Sequence, residues 1–246
     1  MKPSMRLKCL LMLCLVVLLA TEGRPAQNAK ARRAKAKPTT PEYQPITDDP
    51  RLPRVLLIGD SISIGYTLPV RDLLKGKANV HRPPTNCGPT STGLKQIDKW
   101  LGDQRWDVIH FNWGLHDLKY IGADGASLAD PKAPGSHHQA TVEQYEKNLR
   151  SLVARLKKTG AKLIWCSTTP VPPGAQGRVM GDDVRYNEVA ARVMKENEIP
   201  TNDLYALAKP QLEKIQLPAN VHFTKEGSQR LAEEAVKAIL AALGKS

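Results

Sequence analysis

From Arg54 onward, short apolar runs alternate with amphipathic stretches, and few folds accommodate that order. Residues 54–58 (RVLLI) form an apolar run that ends at a glycine, residues 62–74 have helical spacing, and residues 78–81 make a second short strand. Residues 92–101 are helical, 106–112 (WDVIHFN) form a strand, and 113–138 make a long polar loop. Residues 141–158 place Val142, Tyr145, Leu149, Leu152, Val153 and Leu156 on one helical face. A strand at 161–166, a helix at 181–198, a short strand at 199–203 and a helix at 224–243 complete the series. Thr224 is in place to cap that last helix. Strand–helix alternation requires right-handed crossovers, hence an α/β chain with a mostly parallel five-stranded sheet covered on both faces, a three-layer α/β/α sandwich. Aromatic residues are 5% of the chain, so the core is expected to be mainly aliphatic.

The net charge of +12 suggests a polyanion partner until it is located along the chain. Residues 1–23 carry +2 and residues 24–37 carry +6, which leaves +4 for the rest. The excess is a property of a tail, with no basic–aromatic stacking surface in the body, so nucleic-acid binding is not expected. Residues 1–8 are basic and residues 9–20 are apolar without charge, shorter than the ~20 residues that span a bilayer. The pattern fits a secretory signal peptide over 1–23, and hence a secreted or periplasmic protein with no stable membrane insertion after cleavage. An uncleaved anchor is the alternative. Residues 24–53, rich in Ala, Lys, Arg and Pro, read as an extended basic linker, and residues 54–246 as the folded domain. Cys9 and Cys14 leave with the signal; Cys87 and Cys166 are expected as unpaired, semi-buried thiols. No cluster has zinc-ligand spacing, and neither a metal nor a cofactor is expected.

Sites in parallel sheets gather at the carboxyl ends of the strands. The loop after residues 54–58 carries Gly59-Asp60-Ser61, which puts Ser61 at a helix N-terminus, where free N–H groups can hold an anion. The next carries Asn86-Cys87-Gly88, the third Asn112-Trp113-Gly114-Leu115-His116-Asp117, and the last Asn220-Val221-His222 ahead of the final helix. Taken together these blocks resemble the SGNH (GDSL-type) hydrolases, serine esterases with a flavodoxin-like α/β/α sandwich. The resemblance covers residues 54–243. It implies Ser61 as nucleophile, His222 as base, and an oxyanion hole from the N–H groups of Ser61 and Gly88. Gly114 to Asp117 stand where the family has Gly-x-Asn-Asp, so His116 replaces the family's Asn. His116 is then either a third oxyanion donor or a histidine that orients the Asp117 loop. The family's Asp three residues before the base is Ala219 here. Asn220, a main-chain carbonyl or a carboxylate such as Asp60 is left to orient the imidazole.

Other candidates have blander readings. Asp60 and Asp203 read as structural, His110 as a core histidine, and His81 as a strand end without an obvious partner. His137 and His138 point apart as neighbours do, which disfavours a shared metal. Trp113 suits either a pocket wall or packing. The expected function is an exported carboxylic ester hydrolase acting on small-molecule or glycan esters, with short acyl groups on carbohydrate as the leading substrate class. An inactive carbohydrate-binding domain on the same fold and a lipid acyl ester hydrolase are the alternatives.

Overall fold

The computed structural model describes residues 40–245; the expected signal peptide and residues 24–39 of the expected linker lie outside them. The chain runs β1 (Arg54–Ile58), α1 (Ser61–Leu73), β2 (Asn79–His81), α2 (Thr90–Leu101), β3 (Val108–Phe111), β4 (Tyr120–Ile121), β5 (His137–His138) and α3 (Val142–Lys157). It continues through β6 (Lys162–Cys166), α4 (Asp182–Glu196), β7 (Thr201–Asn202), α5 (Leu204–Ala208), α6 (Leu212–Ile215) and α7 (Lys225–Leu243). Five strands make a wholly parallel sheet in the order β2-β1-β3-β6-β7. Helices α1 and α7 pair with each other, and α2, α3 and α4 pack in sequence. This is the expected sandwich, with its strand order reversing between β1 and β3. At such a reversal the loops leaving neighbouring strands diverge and open a crevice.

Strands β1 and β3 are buried almost throughout, which is why they read as unbroken apolar runs rather than alternating ones. Aliphatic side chains dominate the core by number. Most of the few aromatics are nevertheless inside it, including Trp113, Trp165, Tyr66, Tyr145, Tyr186 and Phe111. His110, on β3, is fully buried, with Nε2 3.0 Å from Asn202 Oδ1, and burial pushes its imidazole down to about 4. It is the core histidine its position suggested. Cys87 and Cys166 are both free and buried.

The structure departs from the sequence reading in three places. The loop at 113–138 holds a small antiparallel ribbon in which β4 pairs with β5. His138 Nε2 lies 2.9 Å from Asp182 Oδ2, which ties the ribbon to the start of α4. The stretch between β7 and α7 contains the short helices α5 and α6, and Asp203 caps α5 by accepting from the Ala206 N–H at 3.0 Å. The described part of the expected linker is seated on the domain rather than extended away from it. Asp49 N–H donates to Asn79 Oδ1 at 3.0 Å, and Asn79 Nδ2 returns a bond to the Asp49 carbonyl at 2.9 Å. Asp48 meets Arg54 Nε and His81 Nε2, both at 2.7 Å, and so supplies the partner that His81 lacked in the sequence. Asn79 and His81 are some 30 residues away in the chain, which is why a Pro-rich stretch without periodicity gives no sign of docking.

Candidate active site

Ser61 is placed by its two predecessors. A Cβ on Gly59 would come within 2.6 Å of Ser63 Cβ, so only glycine lets the chain turn from β1 into α1 there. Asp60 is buried and caps the helix by accepting from the Ile62 N–H at 2.9 Å, a structural role that answers the positive end of the helix. Ser61 is left at the first turn, where its own N–H has no intrahelical acceptor.

The second loop is fastened underneath by Arg82. Its guanidinium donates to Ser63 Oγ, Thr67 Oγ1 and the carbonyls of Gly59, Thr85 and Pro83, which locks the loops after β1 and β2 together. Gly88 has φ 60°, a left-handed conformation natural to glycine. Its N–H is not free, however: it donates to Asn86 Oδ1 at 2.9 Å.

In the third loop, a Cβ on Gly114 would lie 1.9 Å from Thr168 Oγ1, so the glycine is dictated by close approach to the loop after β6. Asp117 is fully buried and accepts from both the N–H and the hydroxyl of Thr90, pinning the start of α2. Burial pushes its carboxyl up to about 7, against the lowering effect of those Thr90 bonds. His116 makes no hydrogen bond to this loop among the described residues; it lines the same cleft as Ser61 and His222. Burial chiefly, aided by the positive charges of Lys119 and Arg178 and by His222, holds its imidazole below the ordinary histidine value despite Asp60. Trp113 is buried, packs on Gly93 and does not line the cleft.

His222 precedes α7, the helix that packs beside α1. Leu217 N–H donates to the His222 carbonyl at 2.9 Å, closing a turn in which Ala219 takes a left-handed conformation with φ 50°. Thr224 caps α7 through the Gly227 N–H at 3.0 Å, and its own N–H bonds the Ile215 carbonyl. The ring is thereby presented to the nucleophile, with His222 Nε2 2.8 Å from Ser61 Oγ. His222 Nδ1 lies 2.7 Å from Asn220 Oδ1, and the same oxygen accepts the His222 backbone N–H at 3.0 Å. A backbone N–H can only donate, so the Asn220 amide must present its oxygen. Nδ1 must then carry the ring proton, and Nε2 faces Ser61 as an acceptor. Of the three orienting groups the sequence left open, the structure brings Asn220 into place; Asp60 is occupied at the helix cap.

These residues line an open cleft of about 430 Å³ with Asn86, Leu128, Ala175, Gln176 and Arg178. Arg178 belongs to the loop after β6, one that strand order marks as site-forming but in which sequence reasoning singled out no residue. Among the described residues no group of His, Cys, Asp and Glu is placed to hold a metal ion.

A hydroxyl at a helix N-terminus, hydrogen-bonded to an imidazole that is itself held by a third side chain, at the strand ends of the β2-β1-β3-β6-β7 parallel sheet, is the arrangement that nucleophilic hydrolysis by a serine requires. The GDSL-like lipase/acylhydrolase family matches residues 57–230. The chain belongs to this family and is a carboxylic ester hydrolase. Similar solved structures include an acetyl xylan esterase (15% identity, TM-score 0.59, covering 76% of this chain and 99% of that one). A lipase/acylhydrolase from Enterococcus faecalis is 22% identical, with TM-score 0.58 and coverage of 77% and 96%. A mutant acetyl-xylooligosaccharide esterase from Geobacillus Stearmophilus is 18% identical, with TM-score 0.59 and coverage of 79% and 95%. No curated protein matches the sequence.

Proposed function

We propose that the protein is an exported serine esterase that removes short acyl groups, acetyl foremost, from carbohydrate. The observation that carries the chemistry is the chain of contacts from Ser61 Oγ through His222 to Asn220, 2.8 and 2.7 Å long. His222 Nε2 takes the Ser61 proton as Oγ attacks the ester carbonyl. The tetrahedral oxyanion is met by the Ser61 N–H, by a neutral His116 ring N–H, and by the Gly88 N–H once the oxyanion displaces the Asn86 carboxamide from it. Collapse expels the alcohol with the proton returned from His222 and leaves an acyl-serine, which water hydrolyses by the same route. The modest cleft, with Leu128, Ala175, Ala219 and Val221 as its apolar lining, suits a short acyl chain. The basic stretch and apolar run at residues 1–20 support export, and the acetyl esterases among the similar folds support the substrate class.

The test is hydrolysis of p-nitrophenyl acetate and of acetylated xylo-oligosaccharides by the purified protein beside Ser61→Ala and His222→Ala. Turnover in the parent that falls to background in both variants is expected. Parental turnover that survives Ser61→Ala would overturn the mechanism.

A further inference from the structure

Among the described residues, Arg178 is the only permanently charged side chain that lines the cleft, and no acidic side chain lines it. Its Nε donates to the Leu115 carbonyl at 3.2 Å and its Nη1 to the Gln176 carbonyl at 3.3 Å. Nη2 meets no acceptor among the described residues, and Arg178 makes no ion pair there. Arg82 is the instructive contrast. It too is buried without an acid partner, but all three of its nitrogens are spent on protein oxygens, and it serves the fold. Arg178 is half-buried, and withdrawing an unpaired guanidinium from water is costly unless something offsets it. Lys119, also half-buried, adds a second positive charge near enough for Arg178 to oppose it, and both act on His116. Asp60 is the one carboxylate whose charge favours the Arg178 cation, but it is buried at the cap of α1 and forms no ion pair with Arg178, so the cleft itself offers the guanidinium no carboxylate partner.

We propose that Arg178 selects esters that carry a carboxylate close to the scissile bond. The proposal rests on the serine-esterase reading above; on carbohydrate, it makes an acylated acidic sugar a better substrate than an acylated neutral one. A guanidinium held by two backbone carbonyls keeps a fixed plane and still offers the Nη2 protons to a carboxylate, the acceptor that its geometry fits best. The anion can belong to the alcohol or to the acyl part of the substrate, and matched esters separate these.

For the alcohol side, kcat/KM is measured for para-acetoxybenzoate and for its methyl ester, each divided by its rate of alkaline hydrolysis. For the acyl side the pair is p-nitrophenyl hydrogen adipate and its methyl ester. A preference for the charged member of one pair on the order of tenfold is expected, shrinking as salt rises. Arg178→Met should abolish that preference and Arg178→Lys keep part of it. Arg178 also braces the Leu115 carbonyl, so the charged-to-neutral ratio is the readout rather than absolute rate. If Arg178→Met does not fold, the preference of the unaltered protein and its salt dependence decide. Turnover of the neutral esters with no preference in either pair, or a preference that persists in Arg178→Met, overturns the role of Arg178 and leaves the esterase reading intact. No turnover of any ester overturns both.

Discussion

Asn220 stands in for a carboxylate, and Asn220→Asp tests what that substitution means for catalysis. The carboxamide holds the His222 ring through Nδ1 at 2.7 Å but carries no charge to balance the imidazolium formed when Ser61 gives up its proton. An aspartate keeps the oxygen that accepts from both the backbone N–H and Nδ1, and adds a full negative charge. Two opposite charges ~4 Å apart are worth ~1 kcal/mol in water and ~4 kcal/mol near a protein surface. Both residues are exposed, so solvent screening keeps the gain near the lower figure. A gain of ~1 kcal/mol corresponds to a rise in kcat/KM of about fivefold on the high-pH plateau. Asn220→Ala removes the acceptor altogether, frees the ring to rotate and change tautomer, and should lower kcat/KM by ~10². The assay is kcat/KM for p-nitrophenyl acetate from pH 5 to 9. An Asn220→Ala enzyme as active as its parent, or an Asn220→Asp enzyme slower across the whole range, would refute the orienting role.

Two further outcomes follow from the third loop. Gly114→Ala drives a Cβ into Thr168 Oγ1, and should cost ~1–3 kcal/mol and lower Tm by roughly 3–10 °C in thermal denaturation; an unchanged Tm would contradict the close approach. Asp117, with its carboxyl raised to about 7 by burial, keeps its proton in the folded chain after the unfolded chain has released it. Stability should therefore fall as pH rises between ~4 and 7, by at most ~1.4 kcal/mol per pH unit for this one proton. Asp117→Asn should flatten that slope in urea titrations; identical slopes in parent and variant would refute the assignment.

Ser61 and His222 could be read from the sequence because each sits in a short local pattern next to a strand or helix boundary, and strand order then brings those boundaries together. Asn220 is one of several orienting groups that the sequence offers, since the choice depends on which oxygen faces His222, and only the folded turn at 217–222 fixes that. The commitment of the Gly88 N–H to Asn86 escaped because an asparagine two residues before a glycine is also an ordinary turn. The cleft position of His116 and the exclusion of Trp113 from the cleft depend on the twist of a loop that sequence leaves open. Arg178 lay in a Pro- and Gly-rich stretch with no periodicity, and its significance comes only from what fails to pair with it. The β4–β5 ribbon and the helices α5 and α6 are too short for hydrophobic periodicity to register.

The segment at 40–53 has a bearing on how the protein behaves in concentrated solution. β2 is an outermost strand of the sheet, and Asp49 bonds to the Asn79 side chain at its start, while Asp48 pairs with His81 at its end. A strand at the rim of a sheet is a template for pairing with another chain. At the opposite rim β7 is only two residues long and offers little to pair with. The segment therefore works as a selvedge that stops the weave from being extended. A fragment trimmed to begin at Arg54 would keep every residue of the active site and still expose an unpaired rim, inviting association of a kind that the longer chain resists.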